Sequence, residues 1–247
     1  MINLNNVSFS YNKGIEVLSN INFNVNENEC IGIIGANGAG KSTILKLLVG
    51  LELDYQGEIL IDNLSVEKKN LSEIRRKIGY VFQDTDSQLF MPTVYEDVAF
   101  APKNYGYSQE EVHNRTIEAL KSVGIEELKD RQIYKLSGGQ KKLTAIATVL
   151  SMKPDVLIFD EPTVALDPQN RRKFIYVINK LTGTKIIASH DLDLIYDTCS
   201  KTILLSNGKI IKIAETKEIL TNKELLEGNG LELPLSLSKK WYKKWLK

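Results

Sequence analysis

Two kinds of hydrophobic pattern distinguish the strands predicted along this chain. In the first kind nearly every residue of a short run is apolar or small, which is typical of strands buried on both faces in a parallel sheet. These runs are Cys30–Ile34, 78–82, Val156–Asp160 and 186–189. In the second kind apolar and polar residues alternate, as in 2–11 and 57–62, which favours antiparallel strands with one exposed face. The chain is therefore predicted to be an α/β protein with a mainly parallel sheet and an N-terminal antiparallel part.

Helical signals fill the stretch between the second and third of the buried-type strands. Residues 108–123 predict a helix, because Ser108 can cap its start, acidic residues occupy its first turn and Gly124 can close its end. The stretch from about Tyr95 to Lys135 shows no strand pattern. We therefore expect a helical insert in the sheet-containing core, and peripheral helices from Glu215 onward.

Charge and composition narrow the function. The 247 residues include 32 basic and 31 acidic side chains, whereas a dedicated nucleic-acid binder usually has a basic face. Two cysteines without a CxxC spacing favour a reduced, cytosolic protein. The polar residues after Met1 predict no signal peptide, and no apolar run approaches the ~18 residues that span a bilayer. Any role at a membrane is then expected to come through a partner.

The turn after the first buried-type strand carries a phosphate-binding motif. The sequence fits GxxxxGK[ST] and lies between a predicted strand and a predicted helix at 41–50, the context that this motif requires. Its glycines let backbone N–H groups converge on phosphate oxygens, and the helix N-terminus attracts anions. We expect Lys41 to contact the β- and γ-phosphates and Ser42 to ligate Mg²⁺. The motif consists of Gly35, Ala36, Asn37, Gly38, Ala39, Gly40, Lys41, Ser42 and Thr43.

The strand Val156–Asp160 ends in a carboxylate, and a second carboxylate follows at Glu161. Such a strand carries its last residues to the carboxyl edge of the sheet, where open α/β sheets bind ligands. Asp160 is expected to hold Mg²⁺, directly or through water, and Glu161 to polarise an attacking water. An ordinary strand end is the alternative, and the phosphate-binding motif in the same chain disfavours it.

A second motif with the features of an anion-binding helix start lies upstream of Asp160, and its last residue, Gln140, precedes Asp160 by 20 positions. Ser137 can cap this helix, two glycines expose its first backbone N–H groups, and the following residues have helical apolar spacing. Two phosphate-seeking helix starts in one chain are explained if the Ser137 region completes the ATP site of another chain. The motif consists of Leu136, Ser137, Gly138, Gly139 and Gln140.

With these motifs, the chain resembles the ABC transporter ATPases over essentially its whole length, and residues 136–140 match their signature motif. The resemblance implies a P-loop NTPase core with a helical insert, and hydrolysis of ATP to ADP and phosphate with Mg²⁺. It also implies a head-to-tail dimer that clamps two ATP molecules between residues 35–43 of one subunit and residues 136–140 of the other.

The resemblance also divides the chain. The expected parts are a nucleotide-binding core with the antiparallel subdomain at 1–94 and 151–214, a helical subdomain at 95–150, and a C-terminal helical extension at 215–247.

Single residues outside the motifs match family positions as well. Tyr11 matches the aromatic residue that stacks on adenine, although its place on an alternating strand also suits a core tyrosine. Gln83 matches the glutamine that contacts Mg²⁺ and senses the membrane partner. Asp167 lies in the loop that communicates between subunits. His190 matches the histidine that contacts the γ-phosphate, and with Glu161 it makes up the implied catalytic pair.

Three segments resemble the energy-coupling-factor ATPases, which power uptake of metal ions and vitamins. These segments are 88–100, 141–150 and 231–237. Within that group the closest likeness is to cobalt and nickel importers, and a vitamin-type importer stays open as the alternative. Three apolar residues near Gln83 are expected to border a groove for the membrane partner, unless they pack internally. They are Leu89, Phe90 and Val94.

The expected partners are a second ATPase subunit, identical or paralogous, an integral membrane coupling subunit and a substrate-binding membrane subunit. The expected location is the cytoplasmic face of the membrane, and no nucleic-acid partner is expected. A GTPase is disfavoured because the run from Asn179 lacks the aspartate of NKxD. A non-transport ABC ATPase tends to carry long coiled coils or a duplicated cassette, and intact Glu161 and His190 argue against a pure nucleotide-binding regulator. The lysine- and tryptophan-rich tail at 239–247 is expected to pack on its own domain or a twin subunit, with an anionic membrane surface as the alternative.

Overall fold

The structure is a computed structural model that describes residues 1–11 and 14–238. The alternating stretches near the N-terminus form a four-stranded antiparallel sheet in the order β2-β1-β4-β5. Its strands are β1 (Ile2–Phe9), β2 (Leu18–Val25), β4 (Tyr55–Ile61) and β5 (Leu64–Ser65). In β2 the apolar residues are buried and most of the polar ones between them are exposed, because one face of the sheet covers the core.

The buried-type runs form a second, six-stranded sheet in the order β10-β9-β3-β8-β7-β6. Its strands are β3 (Cys30–Ile34), β6 (Ile78–Val81), β7 (Val156–Asp160), β8 (Thr184–Ala188), β9 (Lys201–Ser206) and β10 (Lys209–Glu215). All neighbours are parallel except β10, which pairs antiparallel with β9 at the edge. Every residue of β7 and β8 is buried, as expected for central parallel strands. The predicted α/β class with a mainly parallel core and an antiparallel N-terminal sheet is confirmed.

The helices in the described part of the chain are α1 (Lys41–Leu48), α2 (Leu71–Lys77), α3 (Val94–Asn104), α4 (Gln109–Val123), α5 (Gly138–Leu150), α6 (Pro168–Lys180), α7 (Leu192–Thr198), α8 (Thr216–Leu220) and α9 (Lys223–Glu227). Six of these helices begin at a side-chain cap, whereas α1, α2 and α8 have none. Ser108 caps α4 by accepting a hydrogen bond from the Glu111 N–H, and Gly124 ends it in a left-handed conformation. Helices α3, α4 and α5 pack against one another. The division into three parts stays a prediction.

One expectation about packing is wrong for two of its three residues. Leu89 and Val94 are 6% and 0% exposed and belong to the hydrophobic core, so they do not border a groove, whereas Phe90 between them is 62% exposed. The turn is fixed by the buried Asp97 carboxylate, which accepts hydrogen bonds from the backbone N–H groups of Phe90 and Met91.

The short C-terminal helices α8 and α9 expose their charged residues and bury one apolar side. Ile219, Leu220 and Leu226 of α8 and α9 are fully buried, because these short helices turn an apolar side towards the core. Residues 231–238 then continue without a helix. The lysine- and tryptophan-rich tail at 239–247 lies outside the described residues. No helix in the described part is long and apolar enough to cross a membrane.

Candidate functional site

Four neighbouring parallel strands deliver the candidate residues to one edge of the six-stranded sheet. The phosphate-binding loop follows β3, residues 160–161 end β7, His190 follows β8 and Gln83 follows β6. A cavity of about 520 Å³ opens there. Its lining includes residues 37–43 together with Tyr11, Gln83, Glu161 and His190. Most of the residues predicted from distant motifs are therefore brought to one place.

The phosphate-binding loop is held open by its own backbone and by Lys41. Gly40 has φ of 106°, and a Cβ at this position would lie 2.6 Å from Leu18, so only glycine fits. Lys41 is 6% exposed, and its ammonium donates to the Gly35 carbonyl at 2.8 Å and lies 3.5 Å from a Glu161 oxygen. The first turn of α1 has no side-chain cap, so its backbone N–H groups are not claimed by a cap residue.

The Asp160 carboxylate is held by two hydroxyl groups. The sequence predicted Ser42 as a residue of this site but did not predict Tyr80. Ser42 donates to one carboxylate oxygen at 2.9 Å, and the Tyr80 hydroxyl donates to the other at 3.0 Å. Burial raises the pKa of Asp160, and the two hydrogen bonds oppose that rise. Burial and the nearby carboxylate also raise the pKa of Tyr80, so its hydroxyl stays a donor.

The donor set beside the loop consists of oxygen atoms. Ser42 and Gln83 line the cavity, and the Asp160 carboxylate is hydrogen-bonded to the Ser42 hydroxyl. These groups suit Mg²⁺, which prefers oxygen ligands and binds through one or two carboxylates plus substrate phosphates. The described residues contain no cluster of three or more histidine, cysteine, aspartate or glutamate side chains that would hold a metal alone. The site therefore fits a metal that arrives with a nucleotide.

Glu161 and His190 form a hydrogen-bonded pair at the end of the cavity. A Glu161 oxygen lies 2.7 Å from His190 Nδ1 and accepts from the His190 backbone N–H at 3.1 Å and from the Ser189 hydroxyl at 3.2 Å. Glu161 is 7% exposed, whereas the His190 side chain is 57% exposed. The Glu161 backbone has φ of 44°, a left-handed conformation that costs a non-glycine residue about 1–3 kcal/mol. Such a fixed carboxylate can orient a water molecule and accept its proton.

Tyr11 also lines the cavity. Its ring is 47% exposed, meets the edge of Phe9 at 4.8 Å between centroids, and its hydroxyl lies 3.3 Å from Thr43 Oγ1. The residue is thus half-exposed on the cavity rather than enclosed in the core. An aromatic face in this position can stack on a planar base.

The signature residues lie outside this cavity. Ser137 caps α5 by accepting from the Gln140 N–H at 3.3 Å, and the Gln140 side chain accepts from the Ser137 N–H at 3.0 Å. Leu136 is buried beneath them. Gly138 faces open space, since a Cβ there would meet no atom within 4 Å, whereas a Cβ at Gly139 would lie 2.4 Å from the side chain of Asn170. The structure therefore leaves an exposed anion-binding helix start separate from the site of its own chain.

Asp167 connects to this second region through a residue that the sequence analysis missed. It caps α6 by accepting from the backbone N–H groups of Gln169 and Asn170, and it also accepts from the Asn170 side chain. Asn170 in turn packs on Gly139. The Asp-Pro start of α6 signals the cap, but no sequence pattern signals the contact with α5.

Comparisons with known proteins agree with this geometry. The family model for ABC transporters matches residues 18–164. An energy-coupling factor transporter ATP-binding protein of Methanosphaera stadtmanae is 44% identical over 93% of this chain and 84% of its own. The structure of cbiO1 from Clostridium perfringens, described as part of the ABC transporter complex cbiONQ, has a TM-score of 0.83 at 38% identity, covering 92% of this chain and 93% of that one. A dimeric ATP-binding cassette in a post-hydrolysis state, bound to ADP and Pi, has a TM-score of 0.78 at 32% identity over 87% of this chain and 99% of its own.

The fold and the site thus define an ATP-hydrolysing cassette whose reaction is coupled to transport. The chain belongs to the ABC transporter family, as an ATP-binding subunit of the energy-coupling-factor type.

Proposed function

We propose that this chain is one of two ATPase subunits that close on two ATP molecules and thereby drive a metal-ion importer. The proposal rests on one observation. The cavity at the sheet edge contains groups for phosphate, metal and water from a single chain, while the Ser137 end of α5 is exposed and outside that cavity. A second chain in head-to-tail orientation would bring this helix start to the open side of the ATP.

In this proposal the glycine loop and Lys41 bind the phosphates of ATP, and Tyr11 stacks on the adenine. Ser42, Asp160 and Gln83 would hold Mg²⁺, which would neutralise charge on the phosphates. Glu161 polarises the attacking water, and His190, fixed by Glu161 at 2.7 Å, contacts the γ-phosphate. Because phosphoryl transfer requires mainly positioning and charge stabilisation, these fixed groups account for most of the catalysis.

The second subunit supplies Ser137 and the backbone N–H groups of Gly138 and Gly139. ATP then acts as the contact between subunits, so its binding energy closes the pair and its hydrolysis lets the pair reopen. Asp167 at the start of α6 is proposed to face the partner, because it lies in an exposed loop joined through Asn170 to the signature helix.

Glu161→Gln tests the hydrolytic role. The variant should bind ATP as the wild type does, because the amide keeps the shape, but it should turn over roughly 10²–10⁴-fold more slowly because the base is lost. Size exclusion with ATP and Mg²⁺ should show a trapped dimer. Glu110→Gln, an exposed carboxylate in the first turn of α4, serves as the control. Wild-type hydrolysis by Glu161→Gln would contradict the assignment.

Closing and reopening of the ATPase pair is proposed to act on a membrane complex at the cytoplasmic face of the membrane. This complex is composed of a coupling subunit and a substrate-binding subunit. Phe90 is the residue best placed to contact the coupling subunit. It is exposed, meets Phe100 edge-to-face at 4.7 Å, and lies beyond the Gln83 segment. An exposed aromatic pair of this kind is an apolar contact point for a partner helix.

Phe90→Asp tests this contact in the reconstituted complex. Basal ATPase activity of the isolated subunit should be unchanged. ATP-driven uptake should fall at least about ten-fold, because the complex would lose an aromatic side chain that the coupling subunit is proposed to cover. Tyr176→Asp, which alters a similarly exposed aromatic on α6, is the matched control. Wild-type uptake by the Phe90 variant would remove Phe90 from the partner surface.

Cobalt or nickel ions are the proposed cargo. Support comes from the three segments that resemble cobalt and nickel importers and from the similarity to cbiO1 of the complex cbiONQ. Uptake of radioactive Co²⁺ or Ni²⁺ by the assembled complex tests this proposal, and uptake of a vitamin instead would contradict it.

A further inference from the structure

The segment that carries Gln83 is joined to α5, the helix that begins with the signature motif, by the half-buried Gln88 and the buried Lys142. The Gln88 amide nitrogen donates to the Ala145 carbonyl at 2.8 Å and to Thr148 Oγ1 at 2.9 Å, both on α5. Its amide oxygen accepts from the backbone N–H of Phe82 at 3.0 Å. One side chain therefore joins the start of the 82–88 segment to the middle of α5.

Lys142 makes a second connection from the opposite direction. It lies one turn into α5 and is 3% exposed, and its ammonium donates to the backbone carbonyl of Gln83 at 2.6 Å and approaches that of Phe82 at 3.4 Å. Burial lowers the pKa of Lys142, and the charges of Asp84 and Asp160 oppose this. A buried amine is costly unless it is hydrogen-bonded, so these carbonyls are its compensation.

These contacts hold an exposed loop rather than the core. Phe82 and Gln83 are themselves exposed, and the neighbouring Leu89 already supplies the apolar packing of the segment. Gln88 and Lys142 act on backbone atoms, so they determine where the loop lies relative to α5. We call this pair the Gln88–Lys142 clamp.

The clamp and the signature motif lie on the same helix. Ser137 caps this helix about 7–8 Å along the axis from Lys142, at 1.5 Å per residue within an unbroken α-helix. Gln83 lines the cavity at the sheet edge of its own chain, whereas Ser137 does not.

We propose that Gln88 and Lys142 are positioning residues that make Gln83, beside one ATP, and Ser137, beside the ATP of the second chain, move as one unit. Occupation of one nucleotide site would thereby align the signature motif for the other. This inference rests on the two-chain site proposed above and adds the residues that couple its two halves.

The test uses the full chain with two alterations of the clamp, Lys142→Met and Thr148→Val. Both keep the approximate side-chain volume and remove the polar contact. Lys153→Met, which removes an exposed lysine paired with Glu118 just beyond α5, is the control. Thr148→Ser, which retains the hydroxyl, should restore wild-type behaviour.

Three quantities are measured. Binding of a fluorescent ATP analogue to the isolated subunit should stay within about two-fold of wild type. The wild-type rate should rise cooperatively with ATP, with a Hill coefficient above 1 and at most about 2 for two sites. In the clamp variants we expect a Hill coefficient near 1 and a kcat lowered about ten-fold, which corresponds to about 1.4 kcal/mol.

The outcomes separate the clamp from the function on which it rests. A lowered melting temperature with unchanged Hill coefficient and kcat would show that the clamp only stabilises the fold, and would overturn the inference. If the wild type itself hydrolyses ATP without cooperativity and without ATP-dependent dimers, the two-chain site fails, and the clamp fails with it. Loss of cooperativity in both variants, with rescue by Thr148→Ser, supports the clamp.

Discussion

The starts of α1 and α5 are two versions of the same anion-binding device, and their surroundings differ. Around α1 the same chain supplies Lys41 and Glu161 on the walls of a cavity, Asp160 is hydrogen-bonded to Ser42 beside them, and Gly40 caps the helix without a side chain. At α5 Ser137 already accepts a hydrogen bond from the Gln140 N–H, and Gly138 beside it meets only open space. One helix start is enclosed by groups suited to ATP, and the other is exposed.

This difference suggests separate roles for the two helix starts: the start of α1 would bind ATP in its own chain, and the start of α5 would only complete the ATP site of another chain. A helix N-terminus alone attracts anions only modestly, by about 0.3–1 kcal/mol at an exposed position. In the proposed function the α1 start would gain affinity from Lys41 and the glycine loop, whereas the α5 start offers only the Ser137 hydroxyl and bare backbone. We therefore expect α1 to govern the first binding step and α5 to act only when ATP from another chain is presented to it.

Breaking each helix start separately has the largest expected effect. Lys41→Ala should weaken ATP binding to the isolated subunit by about ten-fold or more, since a charge-assisted contact with phosphate contributes about 1.5–3 kcal/mol. Ser137→Arg should leave that binding largely intact, because Ser137 lies outside the cavity, yet it should block dimer closure and hydrolysis. Titration of a fluorescent ATP analogue and size exclusion measure the two steps. Equal loss of first-step binding in both variants would contradict the comparison.

Two adjacent glycines allow a finer test of the α5 start. Gly138→Ala should fold normally, and because alanine favours a helix more than glycine does, it should raise the free energy of unfolding by up to about 1 kcal/mol. Hydrolysis should nevertheless fall, because the methyl group enters the open space proposed for the phosphate of the partner's ATP. Gly139→Ala should instead lower the melting temperature, since its methyl group collides with Asn170. Thermal melts and ATPase rates separate the effects. Full activity in a stable Gly138→Ala would show that no ligand approaches there.

The local parts of both regions could be predicted from the sequence, because each is written within a few residues. A glycine-rich turn before Lys41 and a capping serine before two glycines are short-range signals with a direct backbone cause. The strand ending at Asp160 is equally local, and its apolar residues identify it as buried. The structure has all three where the sequence places them.

Contacts between distant segments were not predictable. Tyr80 on β6 donates to Asp160 at the end of the adjacent β7, and Gln88 donates to Thr148 on a helix 60 positions later. Neither residue differs in the sequence from an ordinary strand tyrosine or loop glutamine. The sequence could not predict burial here for a similar reason. Leu89 and Phe90 are adjacent apolar residues in an irregular turn, where no periodicity distinguishes the buried side chain from the exposed one.

The smallest expected effect concerns Tyr11. This residue belongs to the region around the start of α1, and no equivalent of it is proposed near the start of α5. Loss of its ring in Tyr11→Ala should raise the KM for ATP by about ten-fold, since base–aromatic stacking contributes about 1–3 kcal/mol. Tyr11→Phe should change KM less than about two-fold, because it removes only the contact with Thr43 at 3.3 Å, at a half-exposed position. At saturating ATP both variants should reach the wild-type kcat and form dimers normally, since the ring affects entry of ATP and not closure. ATPase rates over a range of ATP concentrations measure both constants. A KM for Tyr11→Phe as high as that for Tyr11→Ala would assign the effect to the hydroxyl and its bond to Thr43. A lowered kcat would make Tyr11 part of the closing step, and the separation between the two helix starts would then be incomplete.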